Sequence, residues 1–378
     1  METKPKLKIG ITGQAGFIGT HLYNHLGLIE DKFIRVPFED EYFENPDILE
    51  SFARNCDVII HLAAMNRHED AKFIYDTNIK LTQKLIEACL RTSSKPYIVF
   101  SSSTQESLDN LYGQSKKKCK EMLIEWATQE NASFTTLTIP NVFGPFGKPY
   151  YNSVVATFCH QLTNDQTPKI KIDKTMDLIY VNDLTKIIIE IISNPKSDIN
   201  KIRVPHGGSY KVSVILNMLN EINDSYCKNG IVPDLSNTFG RQLFNTFITY
   251  LDYEKFYPSK LKMNTDERGS FIELLKSGGG GQVSFSTTKP GITRGNHFHT
   301  RKAERFAVIK GKAQINIRKI GSNKVIKFNL SDKQPSFVDM PVWFTHNIVN
   351  TGHEDLYTVF WINEPYDISD PDTYYETV

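Results

Sequence analysis

A chain whose first aliphatic strand runs straight into three spaced glycines has few folds open to it. The opening run "KLKIGITGQAGFIGTHL" sets Gly13, Gly16 and Gly19 between a Val/Ile-type strand and the start of a helical stretch. Glycine suits this place because the backbone must turn tightly and approach a ligand closely, and the unpaired N–H groups at the helix start favour an anion such as a pyrophosphate. The turn predicts a βα unit, and successive βα units build a parallel sheet covered by helices on both faces.

The same alternation continues to about residue 200. Strands are predicted at "DVIIHLAA", "YIVFSSS" and "FTTLTI", with helices near 16–27, 78–91 and 112–130. From about residue 265 the texture changes to closely spaced alternating strands, "GQVSFSTT", "RFAVIKG", "AQINIRKI" and "NKVIKFNL", parted by Gly, Pro and Asn turns. That pattern predicts an all-β sandwich or barrel. With 378 residues, two cores are the natural expectation, and the boundary is placed near 245, giving domains 1–245 and 246–378. The "SGGGG" run at 277–281 is not read as a linker; the segments on either side, "RGSFIELL" and "GQVSFS", are expected to pair as strands of one β domain.

Bulk properties narrow the function classes. Lys+Arg number 44 against 43 Asp+Glu, so no basic footprint for nucleic acid exists, and no dense basic block points to a membrane surface. No apolar run approaches the roughly 18 residues of a membrane span, and the charged start lacks the apolar core of a signal peptide. The five cysteines, Cys56, Cys89, Cys119, Cys159 and Cys227, are scattered and odd in number. They read as reduced thiols of a cytoplasmic protein. The expected partner is a small molecule or another protein.

Two residue sets carry chemistry. Tyr112 and Lys116 in "YGQSK" are four apart, so a helix projects both from one face. A lysine ammonium beside a tyrosine favours the phenolate and makes proton exchange feasible near neutrality. Ser103, at the end of a predicted strand, lies where open α/β sheets place ligands and offers a hydroxyl to a carbonyl. The second set lies in "GITRGNHFHTRKAERFAVIKG" (291–311), where His297 and His299 occupy alternate strand positions and so face the same side. Two imidazoles and Glu304 suit Zn²⁺, Fe²⁺, Mn²⁺ or Ni²⁺.

With the glycine turn, "DVIIHLAA", "VFSSS" and "YGQSK" in this order, the first part resembles the extended short-chain dehydrogenase/reductase family, a Rossmann-type fold. The resemblance implies a nicotinamide cofactor held by Gly13, Gly16, Phe17, Ile18, Gly19, Leu62, Ala63, Ala64 and Lys116, with Ser103, Tyr112 and Lys116 catalytic. It also implies a nucleotide-sugar substrate with carbon 4 as redox centre. "PNVFGP" (140–145) resembles the segment lining the sugar-nucleotide pocket, with Asn141 as contact; Asp183 in "DLIYVNDL" is open between a helix cap and a ligand. An acid at the end of the second strand binds the ribose of NAD. Here "KFIRVP" ends in Pro37, Glu39 and Asp40 come late, and Arg35 is expected to meet a 2′-phosphate, which favours NADPH.

The spacing Gly291, His297, His299, Glu304, Gly311 resembles the first cupin motif, and "PVWFTHNIVN" resembles the second, with Pro341, His346 and Asn350 in place and Trp343 where a glycine is usual. A jelly-roll barrel follows from the resemblance, with His297, His299, Glu304 and His346 as metal ligands and zinc as the expected ion. "TRGNHFH" is similar as well to metal-free 3,5-epimerases of the cupin superfamily, in which His297 would be a base and Arg294 a charged substrate donor. Either way the reaction class is inversion of a carbon next to a ketone; in the metal version the base is open, with His353 and Lys302 as candidates. Through "YGQSK", "KPYYNSVVATFC" (148–159), "KPGITRGNHFH" and the closing "WINEPYD…PDTY", the whole chain resembles a family of bifunctional capsular-polysaccharide enzymes on the route to UDP-N-acetyl-L-fucosamine. By that resemblance the barrel epimerises carbon 3 of a UDP-2-acetamido-2,6-dideoxy-hexos-4-ulose and the reductase domain then reduces carbon 4, in a homodimer. Two alternatives stand: a reductase whose cupin is a metal-stabilised dimerisation module, and a sugar-nucleotide-binding regulator.

Overall fold

The computed structural model describes residues 5–195, 197–261, 263–266, 269–272, 274–279, 281–364 and 367–378. In chain order the first elements are β1 (Leu7–Thr12), α1 (Phe17–Gly27), β2 (Phe33–Val36), α2 (Pro46–Asn55), β3 (Val58–His61), α3 (Ala71–Thr92), β4 (Tyr97–Ser103), α4 (Leu111–Glu130), β5 (Phe134–Ile139) and β6 (Asn141–Phe143). They continue with α5 (Val154–Thr163), β7 (Thr175–Tyr180), α6 (Val181–Ser193), β8 (Ile199–Arg203), β9 (Gly208–Lys211), α7 (Val212–Ile222), β10 (Ile231–Val232), α8 (Thr238–Phe247), α9 (Tyr253–Phe256) and β11 (Ser259–Lys260). The remainder is all strand: β12 (Met263–Asp266), β13 (Gly269–Ile272), β14 (Lys276–Ser277), β15 (Gln282–Thr288), β16 (Thr293–Phe298), β17 (Glu304–Lys310), β18 (Lys312–Lys319), β19 (Val325–Ser331), β20 (Ser336–Met340), β21 (Phe344–Asn350), β22 (Leu356–Ile362) and β23 (Tyr374–Tyr375).

Two compact units emerge, both discontinuous in sequence. The first comprises 1–143, 147–153 and 175–210; the second comprises 144–146, 154–174 and 211–378. In the first, a parallel sheet runs in the order β2-β1-β3-β4-β5-β8. Strand direction of growth reverses between β1 and β3, the switch point at which open α/β sheets leave a crevice beyond their carboxyl ends. Alternate strand residues serve opposite faces. Ile9, Ile11, Val58, Ile60 and Val99 pack with Leu22 and Leu26 of α1 and Leu184, Ile188 and Ile192 of α6. Ile59, Ile98, Phe100 and Phe134 pack with Phe52 of α2, Leu85 of α3 and Leu123 and Trp126 of α4. Helix α3 begins seven residues before the position predicted, because the Asp70 side chain accepts from Lys72 N at 2.8 Å and caps it there.

The second unit holds two antiparallel five-stranded sheets, β11-β20-β17-β22-β15 and β19-β18-β21-β16-β23, the cupin-type jelly roll. A cut at residue 245 would leave α5, α7 and α8 with the parallel sheet, whereas packing groups them with the barrel. One reason is visible at residue 245: Asn245 Nδ2 donates to Arg301 O at 2.8 Å and Asn363 Nδ2 donates to Asn245 Oδ1 at 3.1 Å. Among the described residues, the strands on either side of the glycine run do not pair with each other as expected from sequence. β13 pairs with β12, and β15 pairs with β22. The run itself lies against residues 232–234: Gly278 N donates to Val232 O at 2.7 Å, and a Cβ on Gly279, whose φ is +155°, would fall 2.7 Å from Asp234 Oδ1. Close approach accounts for these glycines; residues 268, 273 and 280 lie outside the described residues.

A buried ion pair ties the barrel's outer surface together. Arg305 Nε and Nη2 meet the two Asp339 oxygens at 2.8 and 3.1 Å, across the β17–β20 register, and the guanidinium lies 3.7 Å from the Phe337 ring centroid. Tyr257 OH donates to Asp339 Oδ2 at 3.0 Å, and Tyr226 OH lies 2.7 Å from Tyr257 OH. Removing one partner of such a pair leaves an uncompensated buried charge. Asp339→Ala is expected to destabilise this unit by about 3–5 kcal/mol, read as a fall in the denaturant midpoint; an unchanged midpoint contradicts the assignment.

Candidate functional site

The glycine turn is shaped as the sequence requires. Gly13 has φ +69°, and a Cβ there would fall 2.9 Å from the Ala63 backbone; a Cβ on Gly19 would fall 2.2 Å from Gly13 O. The turn and the start of α1 are therefore pressed onto the chain leaving β3. Leu62 N donates to Thr12 O at 3.2 Å and Ala63 N to Thr12 Oγ1 at 3.3 Å, which brings Leu62, Ala63 and Ala64 beside the turn. Gly16 supplies no side-chain cap and the first turn of α1, which opens with Phe17 and Ile18, holds no acid. The residues fit a dinucleotide pyrophosphate on backbone N–H groups. His61, in the same segment, is a core group: it meets Thr12 Oγ1 at 2.7 Å and Thr82 Oγ1 at 3.2 Å, and burial pushes its pKa down to about 3.

Arg35 is not brought to this turn. Its guanidinium meets Glu30 Oε1 at 3.2 Å and Tyr23 O at 3.4 Å and lies 4.6 Å from the Tyr23 ring centroid. Tyr23 is seven residues beyond Gly16, about 10 Å along the helix axis. What approaches the turn from β2 instead is Phe38, whose N donates to Gln14 Oε1 at 3.1 Å.

Ser103, Tyr112 and Lys116 gather at the carboxyl end of β4 and the first turns of α4. A Cβ on Gly113 would fall 2.0 Å from Gln105 O, so α4 sits directly on the short helix 104–107 that follows Ser103. Ser103 Oγ accepts from Gln105 N at 3.1 Å. Lys116 is buried, with Nζ donating to Ser101 O at 2.8 Å, and burial pushes its pKa down to about 8. The four-residue spacing predicts that the lysine draws the tyrosine toward phenolate. In this structure burial, then neighbouring Tyr151, pushes Tyr112 up to about 12, so the phenol is protonated at pH 7. Two supporting residues went unnoticed in the sequence. Asn78 Nδ2 donates to Met65 O and to Ser115 Oγ, both at 2.9 Å, linking α4 to the chain after β3. Glu106 accepts from Ser102 Oγ at 2.6 Å and Lys120 Nζ at 2.8 Å, pinning the helix 104–107 to α4. A polar residue in a buried helix stripe is the signal for Asn78. Asn141 Nδ2 donates to Asp177 O at 3.1 Å, and Asp183 stands in the first turn of α6 rather than at its cap.

In the second unit the predicted ligands converge. One nitrogen of each of His297, His299 and His346 and one oxygen of Glu304 lie within 4.8 Å of one another. The three imidazoles come from β16, its end and β21; the carboxylate comes from β17 in the other sheet. Glu304 Oε2 is 2.8 Å from His346 Nε2, 3.4 Å from His299 Nε2 and 4.0 Å from His297 Nε2. Burial by itself would raise the Glu304 carboxyl, but His299 and His346 hold it well below the usual carboxylate range. His299 Nε2, His346 Nε2 and Glu304 Oε2 are all buried without a well-directed hydrogen bond. Converging buried acceptors of this kind fit a divalent cation, three nitrogens and one oxygen being a common set for Zn²⁺.

A bulge aims the set. Gly295 and Asn296 have φ +99° and +58°, and the β16–β21 register shifts there, so that Arg294 pairs with Ile348 and His297 with His346. The extra residue returns Arg294 and His297 to one face despite their odd separation. Arg294 is exposed, with Nη1 donating to Thr287 O at 2.9 Å. Trp343 adopts a left-handed turn: its φ is +62°, its N donates to His299 O at 2.8 Å, and its buried ring stacks on Phe298 at 5.4 Å. His353 is exposed, and Lys302 is buried with Nζ donating to Pro371 O at 2.8 Å.

Residues 9–204 match the NAD dependent epimerase/dehydratase family, and 264–374 match the polysaccharide biosynthesis C-terminal domain. The chain belongs to the NAD-dependent epimerase/dehydratase family. It is 32% identical to the UDP-2-acetamido-2,6-beta-L-arabino-hexul-4-ose reductase of Pseudomonas aeruginosa, over 97% of this chain and 98% of that protein. The crystal structure of the capsular polysaccharide assembling protein CapF from Staphylococcus aureus is 33% identical, with a TM-score of 0.62, and covers 98% of this chain and 100% of its own. UDP-glucose 4-epimerase of Thermotoga maritima, solved with UDP-glucose, shares the fold at 19% identity and TM-score 0.54, over 65% of this chain and 98% of its own. Among the described residues no helix is long and apolar enough to cross a membrane.

The displaced lysine pKa gives a stability signature. An unfolded lysine titrates near 10.5 and the buried Lys116 near 8, so between these values the unfolded chain holds more protons and stability rises with pH. The melting temperature of the wild type minus that of Lys116→Met is therefore expected to climb from pH 7.5 to pH 10 in the absence of cofactor. A flat difference contradicts the assigned environment.

Proposed function

We propose that this chain is a bifunctional nucleotide-sugar enzyme that epimerises carbon 3 of a UDP-2-acetamido-2,6-dideoxy-hexos-4-ulose in its β unit and reduces the carbon 4 ketone in its parallel-sheet unit. The observation that carries the reading is the coexistence, in one chain matched along its whole length by a 4-ulose reductase, of the Ser103, Tyr112, Lys116 set and the converged His297, His299, Glu304, His346 cluster. Reduction needs a proton on the carbonyl oxygen as hydride reaches carbon 4. Tyr112 OH would give that proton, Ser103 Oγ would donate a hydrogen bond to the same oxygen, and the Lys116 ammonium would stabilise the phenolate left behind.

NADPH supplies the hydride in this reading. The end of β2, Val36-Pro37-Phe38, carries no acid to bind a 2′-hydroxyl or to repel a 2′-phosphate. Because Arg35 is engaged by Glu30 and Tyr23, Arg35→Ala is expected to leave the ratio of kcat/KM for NADPH over NADH unchanged, within about twofold. A collapse of that ratio would return Arg35 to the cofactor site.

Epimerisation uses the acidity of a hydrogen beside a ketone. A divalent ion, zinc in this proposal, stabilises negative charge developing on the ketone oxygen when bound. His299 and His346 are held by their buried positions and Glu304 by the facing sheet; Arg294, on the same face at the barrel's exposed side, suits the substrate's diphosphate. The test is incubation with a UDP-4-keto-6-deoxy-N-acetylhexosamine in D₂O without NADPH. Deuterium is expected at carbon 3, and lost in His299→Ala while NADPH oxidation persists on substrate already epimerised. No exchange in the wild type removes the epimerase half; if His299→Ala then lowers only the melting temperature, the barrel is a structural module.

A further inference from the structure

A single residue near the carboxyl end makes contacts on which the cluster depends and which neither motif contains. Asp372 lies 2% exposed in the left-handed region at φ +45°. Its backbone carbonyl is 2.5 Å from His299 Nδ1. A carbonyl only accepts, so Nδ1 carries the hydrogen and Nε2, the nitrogen facing Glu304, keeps its lone pair. Its carboxylate takes Thr300 Oγ1 at 2.6 Å, Arg301 N at 2.9 Å, and Thr300 N and Lys302 N each at 3.2 Å. Those donors make up the loop joining His299 to Glu304. The chain beyond Asp372 then continues as β23, with Tyr375 opposite His297 and Tyr374 opposite Phe298, and Glu376 N donates to Asn296 O at 2.9 Å within the bulge.

We infer that Asp372 is a positioning residue of the metal site, its carbonyl selecting the ligating tautomer of His299 and its carboxylate fixing the loop that sets the distance from His299 to Glu304. The inference rests on the proposed metal reading of the cluster. Outer partners of ligating histidines hold ring orientation and tautomer, and their loss weakens metal affinity by about 10–100-fold. One residue reaches two targets here: its main chain addresses His299 and its side chain the loop that follows it. The left-handed backbone matters too, because Asp and Asn tolerate it better than alanine. Asp372→Asn keeps the conformation and one acceptor oxygen, whereas Asp372→Ala loses all four side-chain contacts and disfavours the backbone that aims the carbonyl.

The experiment titrates the full chain, stripped of metal, with Co²⁺ followed by its visible absorption, and with Zn²⁺ in competition with a chromophoric chelator. Wild type is expected to bind one ion per chain, His346→Ala to lose binding, Asp372→Ala to bind about 10–100-fold more weakly with altered Co²⁺ bands, and Asp372→Asn to recover most of the affinity. NADPH binding and the circular dichroism of each variant report folding. Should Asp372→Ala fail to fold, Thr300→Val, which removes one hydrogen bond to the carboxylate, is expected to weaken binding about fivefold. Wild-type affinity and Co²⁺ bands in Asp372→Ala, or in Thr300→Val where that variant stands in, overturn the inference and leave the metal reading intact. Absence of Co²⁺ binding in the wild type overturns the metal reading and this inference with it.

Discussion

Four polar groups from two facing sheets, three of them buried and His297 partly exposed, must meet within 4.8 Å. A carboxylate and imidazole nitrogens removed from water, with no directed hydrogen bonds between them, are costly unless a cation or matched protons compensate. Much of the local structure of the β unit follows from holding that arrangement. The bulge at Gly295–Asn296 re-aims His297, the left-handed Trp343 ties its own N–H to His299 O, and Asp372 secures His299 from the other side. A bulky aromatic at φ +62° is strained, by about 1–3 kcal/mol for such conformers; its complete burial against Phe298 offsets this. Even α8 contributes, through Asn245 to Arg301 O in the ligand loop.

The parallel-sheet unit meets a different demand. A proton donor for a ketone must be neutral before the reaction and able to bear charge after it. In the proposed reduction Tyr112, protonated at neutral pH and pushed further up by burial, meets the first condition, and the second calls on the ammonium of Lys116. At a pKa of about 8 that ammonium is still mostly protonated at neutral pH, while Ser101 O anchors it. The proposed reduction rests on three side chains placed on the short path from the end of β4 into α4, with Glu106 and Asn78 bracing that path. The two proposed reactions meet in one functional group: the ketone that acidifies carbon 3 is the ketone that reduction removes.

Local signals in the sequence were the readable ones. The Gly13–Gly19 turn is set by local backbone conformation and close approach, and the four-residue interval from Tyr112 to Lys116 and the His297–His299 alternation by backbone periodicity, so all three survive translation into three dimensions. Side-chain direction at Arg35 did not, because it depends on an ion pair with Glu30 that no strand-end rule contains. Nor did Asp372, which lies 73 residues from the histidine it touches. The pairing of β13 with β12 and of β15 with β22 was missed for a related reason: composition announces strands, while partners are chosen by long-range register. The grouping of α5, α7 and α8 with the barrel is likewise a packing fact, invisible in helices whose amphipathic pattern is the same whichever core they cover.

The most direct examination of the central claim is X-ray absorption at the zinc edge on the zinc-loaded full chain. The account predicts one tightly held ion with three imidazole nitrogens and one carboxylate oxygen in its shell at about 2.0–2.2 Å, and loss of that shell in His346→Ala. A shell of water oxygens alone, or one unchanged when His346 is replaced, would contradict it.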